Sequence, residues 1–145
     1  MSFRDALSVF DVSGSGLAAQ RLRMALIAQN IANANSIKGA DGQPFKRKQA
    51  VFAEMIDAEL GRTDPTYGSF AGCRLDRILT SPVEFKAVYN PNHPLADEKG
   101  FVKMPNVDTV VEMYEMVSAS RSYEANLAVM KTYRQMLERA LNFLK

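Results

Sequence analysis

The chain has 145 residues, of which 47% are hydrophobic and 23% charged, and its formal net charge is +2. This composition is typical of one folded domain, or of one helical unit with a small insert, and is unlike that of a disordered chain, while so small a charge does not indicate a polyanionic partner. The single cysteine, Cys73, excludes an internal disulfide, and no apolar run approaches the ~18–20 residues that cross a bilayer. The N-terminus lacks the features of a secretory signal, so we expect a cytoplasmic protein or export without a cleaved signal.

A long helix is predicted from residue 3 to about residue 35. Apolar side chains recur along it every seven residues, at Phe3, Phe10, Leu17, Met24 and Ile31. This spacing keeps a narrow apolar stripe on one side of a helix and favours a partner helix. The run Ser13 to Gly16 weakens the helix, either as a break between two helices or as a place where small residues admit a close neighbour.

Three asparagines close this helix. Asn30 and Asn33 are three residues apart and share a helix face. They act either in capping and turns or as buried amides that fix the register against a partner. Asn35 is expected to end the helix in the left-handed conformation.

The middle of the chain has a different pattern. Turn residues such as Gly39 and Pro44 precede three predicted strands, at residues 45–53, 71–79 and 83–89. Residues 61–69 are predicted to form a flexible loop, and the prolines that flank His93 exclude a helix or central strand there. We therefore expect an extended and β-rich insert over residues 37–104.

A second long helix is predicted in the last part of the chain, residues 105–145. Thr109 and Glu112 have the spacing of a capping box, and Asp108 adds negative charge at the helix start. About 37 residues follow without Pro or Gly, enough for a helix of ~55 Å. Its seven-residue apolar row is Met116, Tyr123, Met130, Leu137 and Leu144.

The predicted fold class is therefore mainly α with a small β insert. The long N-terminal helix, within residues 1–36, and the long C-terminal helix are expected to pair as a coiled-coil hairpin around the β-rich middle segment. Such a hairpin covers only one flank of each helix. Apolar residues are then expected to stay exposed at Leu22, Leu26, Ile27, Met113, Val117 and Met136. Exposed rows of this kind mark partner surfaces, and their head-to-tail use builds helical or tubular assemblies.

Enzymatic chemistry has little support in the sequence. His93 is the only histidine and lies in a predicted turn, and Cys73 has no second cysteine or nearby histidine. We predict no catalytic site, no metal and no cofactor. The basic cluster Lys46 to Lys48 is interpreted as a solvated strand edge, so no nucleic-acid partner is predicted. The N-terminal helix lacks a basic polar face, so no membrane insertion is predicted either.

Four segments carry a family resemblance. Asn30 to Ser36, with the apolar helix before it, resembles the N-terminal signature of the bacterial flagellar rod and hook proteins, and Ser118 to Asn126 resembles its C-terminal counterpart. The segments Asn92 to Asp108 and Asp41 to Phe45 resemble the proximal-rod branch of that family.

The resemblance implies a structural subunit of the proximal rod that transmits torque across the periplasm. Its terminal helices would form an inner coiled-coil layer, with a small β-domain outside. It would leave the cytoplasm unfolded, through the flagellar type III export apparatus. Its partners would be copies of itself, other rod proteins, and the membrane-ring and rod-base adaptor proteins. The alternative is a cytoplasmic protein, either a helix-binding adaptor or an export chaperone.

The predicted assembly interface combines the apolar rows with the family motif positions. It comprises Phe10, Leu17, Met24, Asn30, Ile31, Asn33, Asn35, Met116, Arg121, Tyr123, Glu124, Asn126, Met130, Leu137 and Leu144. The asparagines of the N-terminal motif and the residues Arg121, Tyr123, Glu124 and Asn126 belong to it through the resemblance. Phe3 to Leu7 resembles the short export signal of early substrates, with Phe3 and Leu7 as its apolar positions.

Overall fold

Two long terminal helices enclose four strands. The computed structural model describes residues 3–39, 42–56 and 70–143, so the predicted loop at 61–69 lies outside the described residues. The elements are α1 (Phe3–Ala32), β1 (Lys48–Ile56), β2 (Phe70–Thr80), β3 (Lys86–Tyr89), β4 (Phe101–Met104) and α2 (Thr109–Phe143). The prediction of terminal helices around a small β-rich middle is confirmed. Within the described ranges, no helix combines the length and apolarity needed to span a membrane.

Helix α1 is continuous through Ser13 to Gly16. The alternative of a break between two helices is therefore wrong. A Cβ added to Gly16 would lie 2.9 Å from Nδ2 of Asn126 on α2, so this glycine allows a close approach between the helices. The helix ends at Ala32, three residues before the predicted end, and residues 33–35 form a turn.

The two helices pack against each other in antiparallel orientation. Near the start of α1, the ring of Phe10 meets the ring of Tyr133 edge-on, with centroids 5.3 Å apart. Near its end, Arg23 lies 3.6 Å from the carboxylate of Glu115, and the Gly16 contact lies between these two. Residue numbers thus rise on α1 as they fall on α2. With 30 and 35 residues, the helices are ~45 and ~52 Å long.

Strands β1 and β2 form an antiparallel pair that lies along another flank of α1. Lys48 pairs with Thr80 at the end of the hairpin near Asn30, and the N–H of Cys73 donates to Oγ of Ser15 at the other end, 3.1 Å away. Fifteen helical residues and seven strand residues both span ~23 Å, so the hairpin follows the helix.

Leu26 and Ile27 lie where α1, α2 and the hairpin meet, and only 8% and 3% of their surface is exposed. The expectation that these two residues stay exposed is therefore wrong, because the hairpin provides a third wall that the helical pattern does not encode.

The second sheet contains only β3 and β4, with Val88 opposite Val102. The predicted strand at 83–89 is shortened to its last four residues, so Val83 and Phe85 precede β3. All four β3 residues are exposed, so the apolar alternation there does not mark a buried face. Strand β4 was missed because it has only four residues, but Val102 within it is buried to 3% exposure.

Replacement of Gly72, where β2 crosses α1, should destabilise the fold. Its φ is 124°, and an added Cβ would overlap Oγ of Ser15. Gly72→Ala should therefore lower the free energy of unfolding by about 1–3 kcal/mol, measured by urea denaturation. Gly14→Ala is the matched control, since nothing lies within 4 Å of its added Cβ, and it should stabilise α1 by about 1 kcal/mol. Similar effects of the two substitutions would contradict this account of the crossing.

Candidate assembly site

A buried polar cluster joins the end of α1, the start of β1 and the start of α2. Asn30 and Glu112 lie at its centre, with 1% and 0% of their surface exposed. The Nδ2 group of Asn30 donates to Oε2 of Glu112 at 3.0 Å and to the carbonyl of Lys48 at 2.9 Å. Its Oδ1 accepts the N–H of Lys48 at 2.9 Å. One amide therefore connects three segments of the chain.

Arg47 supplies the positive charge of this cluster. Its Nε donates to the second oxygen of Glu112, and its Nη2 donates to Glu115 at 2.8 Å. Burial lowers the pKa of the guanidinium, but the hydrogen bonds and charges of the two glutamates outweigh it, so that the pKa of Arg47 is raised. Arg47 is therefore a permanent positive charge in this cluster. The backbone N–H of Arg47 also donates to Oδ1 of Asn106, 2.9 Å away.

Glu112 was predicted to close a capping box with Thr109, and this prediction is wrong. The cap of α2 is Asp108, whose Oδ1 accepts the N–H groups of Val110 and Val111 at 3.0 and 3.4 Å. The predicted negative charge of Asp108 at the helix start is thus present, and its side chain also caps the helix. Glu112 faces inward, because Arg47 and Asn30 offer it stronger partners than its own backbone does.

The basic cluster was interpreted as a solvated strand edge, and for Arg47 this interpretation is wrong, since 18% of its side chain is exposed. Its two neighbours contact aromatic rings instead. Nζ of Lys46 lies 5.2 Å from the ring centre of Phe85, and Nζ of Lys48 lies 5.7 Å from that of Phe45. All three cations thus have partners within the chain.

The three asparagines of the N-terminal motif have different environments. Asn30 is the buried amide just described, whereas the side chain of Asn33 donates to the carbonyl of Gln29 at 2.8 Å and accepts from Ser36. Asn33 therefore stabilises the local turn. Asn35 is exposed, and no non-glycine residue in the described part of the chain has a positive φ. Its predicted left-handed conformation is therefore wrong.

Most of the predicted interface residues are partly buried within the chain itself. Half-buried positions are Phe10, Leu17, Met24, Ile31, Met116, Tyr123, Asn126, Met130 and Leu137. Arg121 and Glu124 are exposed, while Leu144 and the side chains of Phe3 and Leu7 lie outside the described part. A role of these residues in contacts between subunits stays a prediction.

The opposite side of α2 carries a separate apolar surface, which we call the outer face of α2. It consists of Val110, Met113, Tyr114 and Val117, with 76%, 54%, 75% and 53% of their surface exposed. Steps of three, four and seven residues place them on one stripe. The expected exposure of Met113 and Val117 is thus confirmed, as is that of Met136 at 56%. Val110 and Tyr114 were missed, although the same spacing predicts them.

A cleft lies beside the polar cluster, between α1, the hairpin and the start of α2. Its volume is about 280 Å³, and it is lined by Arg23, Leu26, Ile27, Asn30, Arg47, Lys48, Gln49, Ala50, Val51, Phe52, Leu79, Glu112 and Glu115. In the described ranges, no group of three or more His, Cys, Asp or Glu side chains is arranged to hold a metal ion. Three of its polar lining residues are the members of the buried cluster, in which Asn30 and Arg47 each donate to Glu112.

The buried cluster should dominate the stability of the monomer. Arg47→Met leaves the carboxylate of Glu112 buried without a countercharge, and this should cost about 3–5 kcal/mol in the free energy of unfolding. The double variant Arg47→Met with Glu112→Leu should recover part of this loss, because it also removes the unpaired charge. Chemical denaturation of the purified chain measures both.

The matched control is Arg134→Met, which breaks another Arg Nε–Glu pair. Arg134 bonds Glu138 at 2.8 Å, but the two side chains are 77% and 57% exposed. Its loss should cost no more than about 0.5 kcal/mol. Equal losses at Arg47 and Arg134 would show that burial of the first pair has no energetic consequence.

Similarity to known proteins extends over most of the chain. The family model described as flagella basal body rod protein matches residues 10–39, and the one described as flagellar basal body rod FlgEFG protein C-terminal matches residues 98–143. The chain is 45% identical over 135 residues to the flagellar basal-body rod protein FlgC of Salmonella typhimurium, covering 93% of this chain and 95% of that protein. It is 39% identical over 141 residues to FlgC of Aquifex aeolicus, covering 97% and 98%. The chain belongs to the FlgC family of flagellar basal-body rod proteins and is a structural subunit of that rod.

Proposed function

We propose that this subunit builds the proximal part of the rod and transmits torque across the periplasm, from the membrane ring to the distal rod. The observation that carries the proposal is the outer face of α2, four large apolar side chains that the chain itself leaves exposed. Each contributes ~1.5–3 kcal/mol when fully buried, so their burial between subunits favours assembly. We assign the chain no catalytic role and no cofactor, because packing alone accounts for this function.

Terminal-helix packing is the proposed mechanism. In the rod, residues 1–36 and 105–145 would form an inner coiled-coil layer, and the β-rich residues 37–104 would lie outside it. The antiparallel contact between α1 and α2 supports this arrangement, since both ends of the chain enter one layer. Overlapping helices would distribute shear over many contacts, while Arg121, Glu124 and Asn35 remain available at the surface.

The buried polar cluster has a mechanical role in this proposal. Torque must pass between the helices and the β-rich region within each subunit. Arg47, just before β1, bonds Glu112 and Glu115 of α2. Asn30 of α1 bonds the carbonyl of Lys48 in β1 and the carboxylate of Glu112 in α2. The bonds to the two glutamates are charge-assisted and little exposed, so they resist displacement better than surface ion pairs do.

Its partners would be copies of itself, other rod proteins, and the membrane-ring and rod-base adaptor proteins. The chain would reach the periplasmic rod unfolded, through the flagellar type III export apparatus and without a cleaved signal. A single cysteine suits this route, because no internal disulfide has to be opened. Phe3 and Leu7 would present the export signal.

Complementation tests the function directly. In a flagellated bacterium that lacks its own FlgC, this chain should restore swimming and copurify with isolated basal bodies, because its rod position would be filled. An unrelated helical protein of similar length serves as the control. Recovery of the chain only in the cytoplasm, with no rod assembled, would instead support the adaptor or chaperone alternative.

Loss of the Phe3 side chain should reduce export of the chain more than it reduces the stability of the fold. Phe3→Ala should lower the amount of secreted chain several-fold, because it removes the apolar position of the signal, and immunoblots of secreted protein measure this. Phe10→Ala is the control, since it removes the same side chain outside the signal and breaks the contact with Tyr133. It should reduce stability more and secretion less. Unchanged secretion of Phe3→Ala would dismiss the signal.

A further inference from the structure

The outer face and the cleft lie on opposite sides of α2, at the same position along the helix axis. Glu112 and Glu115 line the cleft, and Val110 and Val117 belong to the outer face. Each valine is two residues from one of the glutamates, a rotation of about 200° around a helix with 3.6 residues per turn. A single copy therefore presents an apolar ridge on one side and a cleft on the other.

The cleft has apolar walls and an excess of positive charge. Leu26, Ile27 and Phe52 form part of its lining, and Leu79 at its edge is 44% exposed. Its charged lining residues are Arg23, Arg47, Lys48, Glu112 and Glu115, three cations against two anions.

Arg23 is a cation of the cleft whose ion pair is long and partly exposed. Its side chain is 43% exposed, and among the described residues its carboxylate partner is Glu115, whose oxygen is 3.6 Å away, beyond hydrogen-bond distance. Glu115 is already bonded to Arg47. The guanidinium of Arg23 thus keeps donors and a flat face for another partner.

We propose that the outer face of α2 in one copy docks into the cleft of the next copy, with Tyr114 packed against Arg23. This inference rests on the proposed function and names the partner of the outer face as a second copy of this chain. Guanidinium groups stack on aromatic rings, and Tyr114 is the aromatic residue of the outer face, 75% exposed. The neighbouring Met113 and Val117 meet the apolar walls of the cleft.

Both complementary surfaces belong to the same chain, which favours a second copy over a different protein. Because the two surfaces are different, the contact is heterologous, and each added copy leaves one ridge and one cleft free. Repetition of the contact at one height of the helix pair arranges copies side by side. A ring or a shallow helical turn of the rod follows from this geometry.

Cysteine cross-linking in assembled rods tests the proposal. Cys73 is the single cysteine, so Cys73→Ser gives a thiol-free chain. In that background, Val117→Cys marks the outer face and Leu79→Cys marks the cleft, and both positions are exposed. Basal bodies isolated from the complemented bacterium are treated with a short bis-maleimide. The double-cysteine chain should form dimers and higher multimers, because each copy contacts two others through different surfaces.

Each single-cysteine chain should give no cross-linked dimer. Val129→Cys combined with Leu79→Cys is the matched control, because Val129 is 50% exposed on α2 but lies outside the outer face. Arg23→Glu should abolish the cross-link between positions 117 and 79, whereas Arg21→Glu, an exposed site on the same helix, should preserve it.

Assembled rods without the 117–79 cross-link would overturn the proposal, and so would dimers formed by Val117→Cys alone, which indicate a symmetric contact. Failure of the function is a separate result. In that case the Cys73→Ser chain, with both surfaces intact, would neither restore swimming nor enter basal bodies.

Discussion

The rest of the structure depends on the bonds that the buried carboxylate of Glu112 forms with Arg47 and Asn30. The carboxylate is fully buried, one oxygen accepts from Arg47 and the other from Asn30, and these residues come from distant parts of the chain. An ionised group in that position is tolerated only with a countercharge and hydrogen bonds at both oxygens. The end of α1 and the starts of β1 and α2 are therefore constrained to one arrangement. The hairpin then packs along one flank of α1, and α2 packs along another flank of α1.

This arrangement leaves α2 with two apolar rows, one packed within the chain and one exposed. The row through Met116 and Tyr123 is half-buried on the side of α1, next to a row that contains Ala119 and Tyr133. The row through Val110 and Val117 faces outward. An isolated domain would gain little from the second row, since exposed apolar surface of this size favours association. In the assembly proposed above, the same row would be buried between subunits and would stabilise the rod.

Sequence periodicity found the helices but not their ends or partners. The seven-residue rows from Phe10 and from Met116 predicted both helices correctly, because a helical stripe repeats within one segment. The capping box failed because Glu112 has a better partner in Arg47, sixty-five residues away. Strand β4 was missed because a strand of four residues has no periodicity of its own and exists through pairing with β3.

The sequence by itself determined that this chain has two long terminal helices, a β-rich middle and more apolar helix surface than one hairpin covers, and its motifs determined the family. Those properties depend on local spacing and composition, which any window of the chain displays. The tertiary structure decided that Asn30, Arg47 and Glu112 meet, that Leu26 and Ile27 are buried, and that the outer face and the cleft lie on opposite sides of α2. Such contacts depend on how three segments dock, and the burial of one charge settles that docking across long separations in sequence.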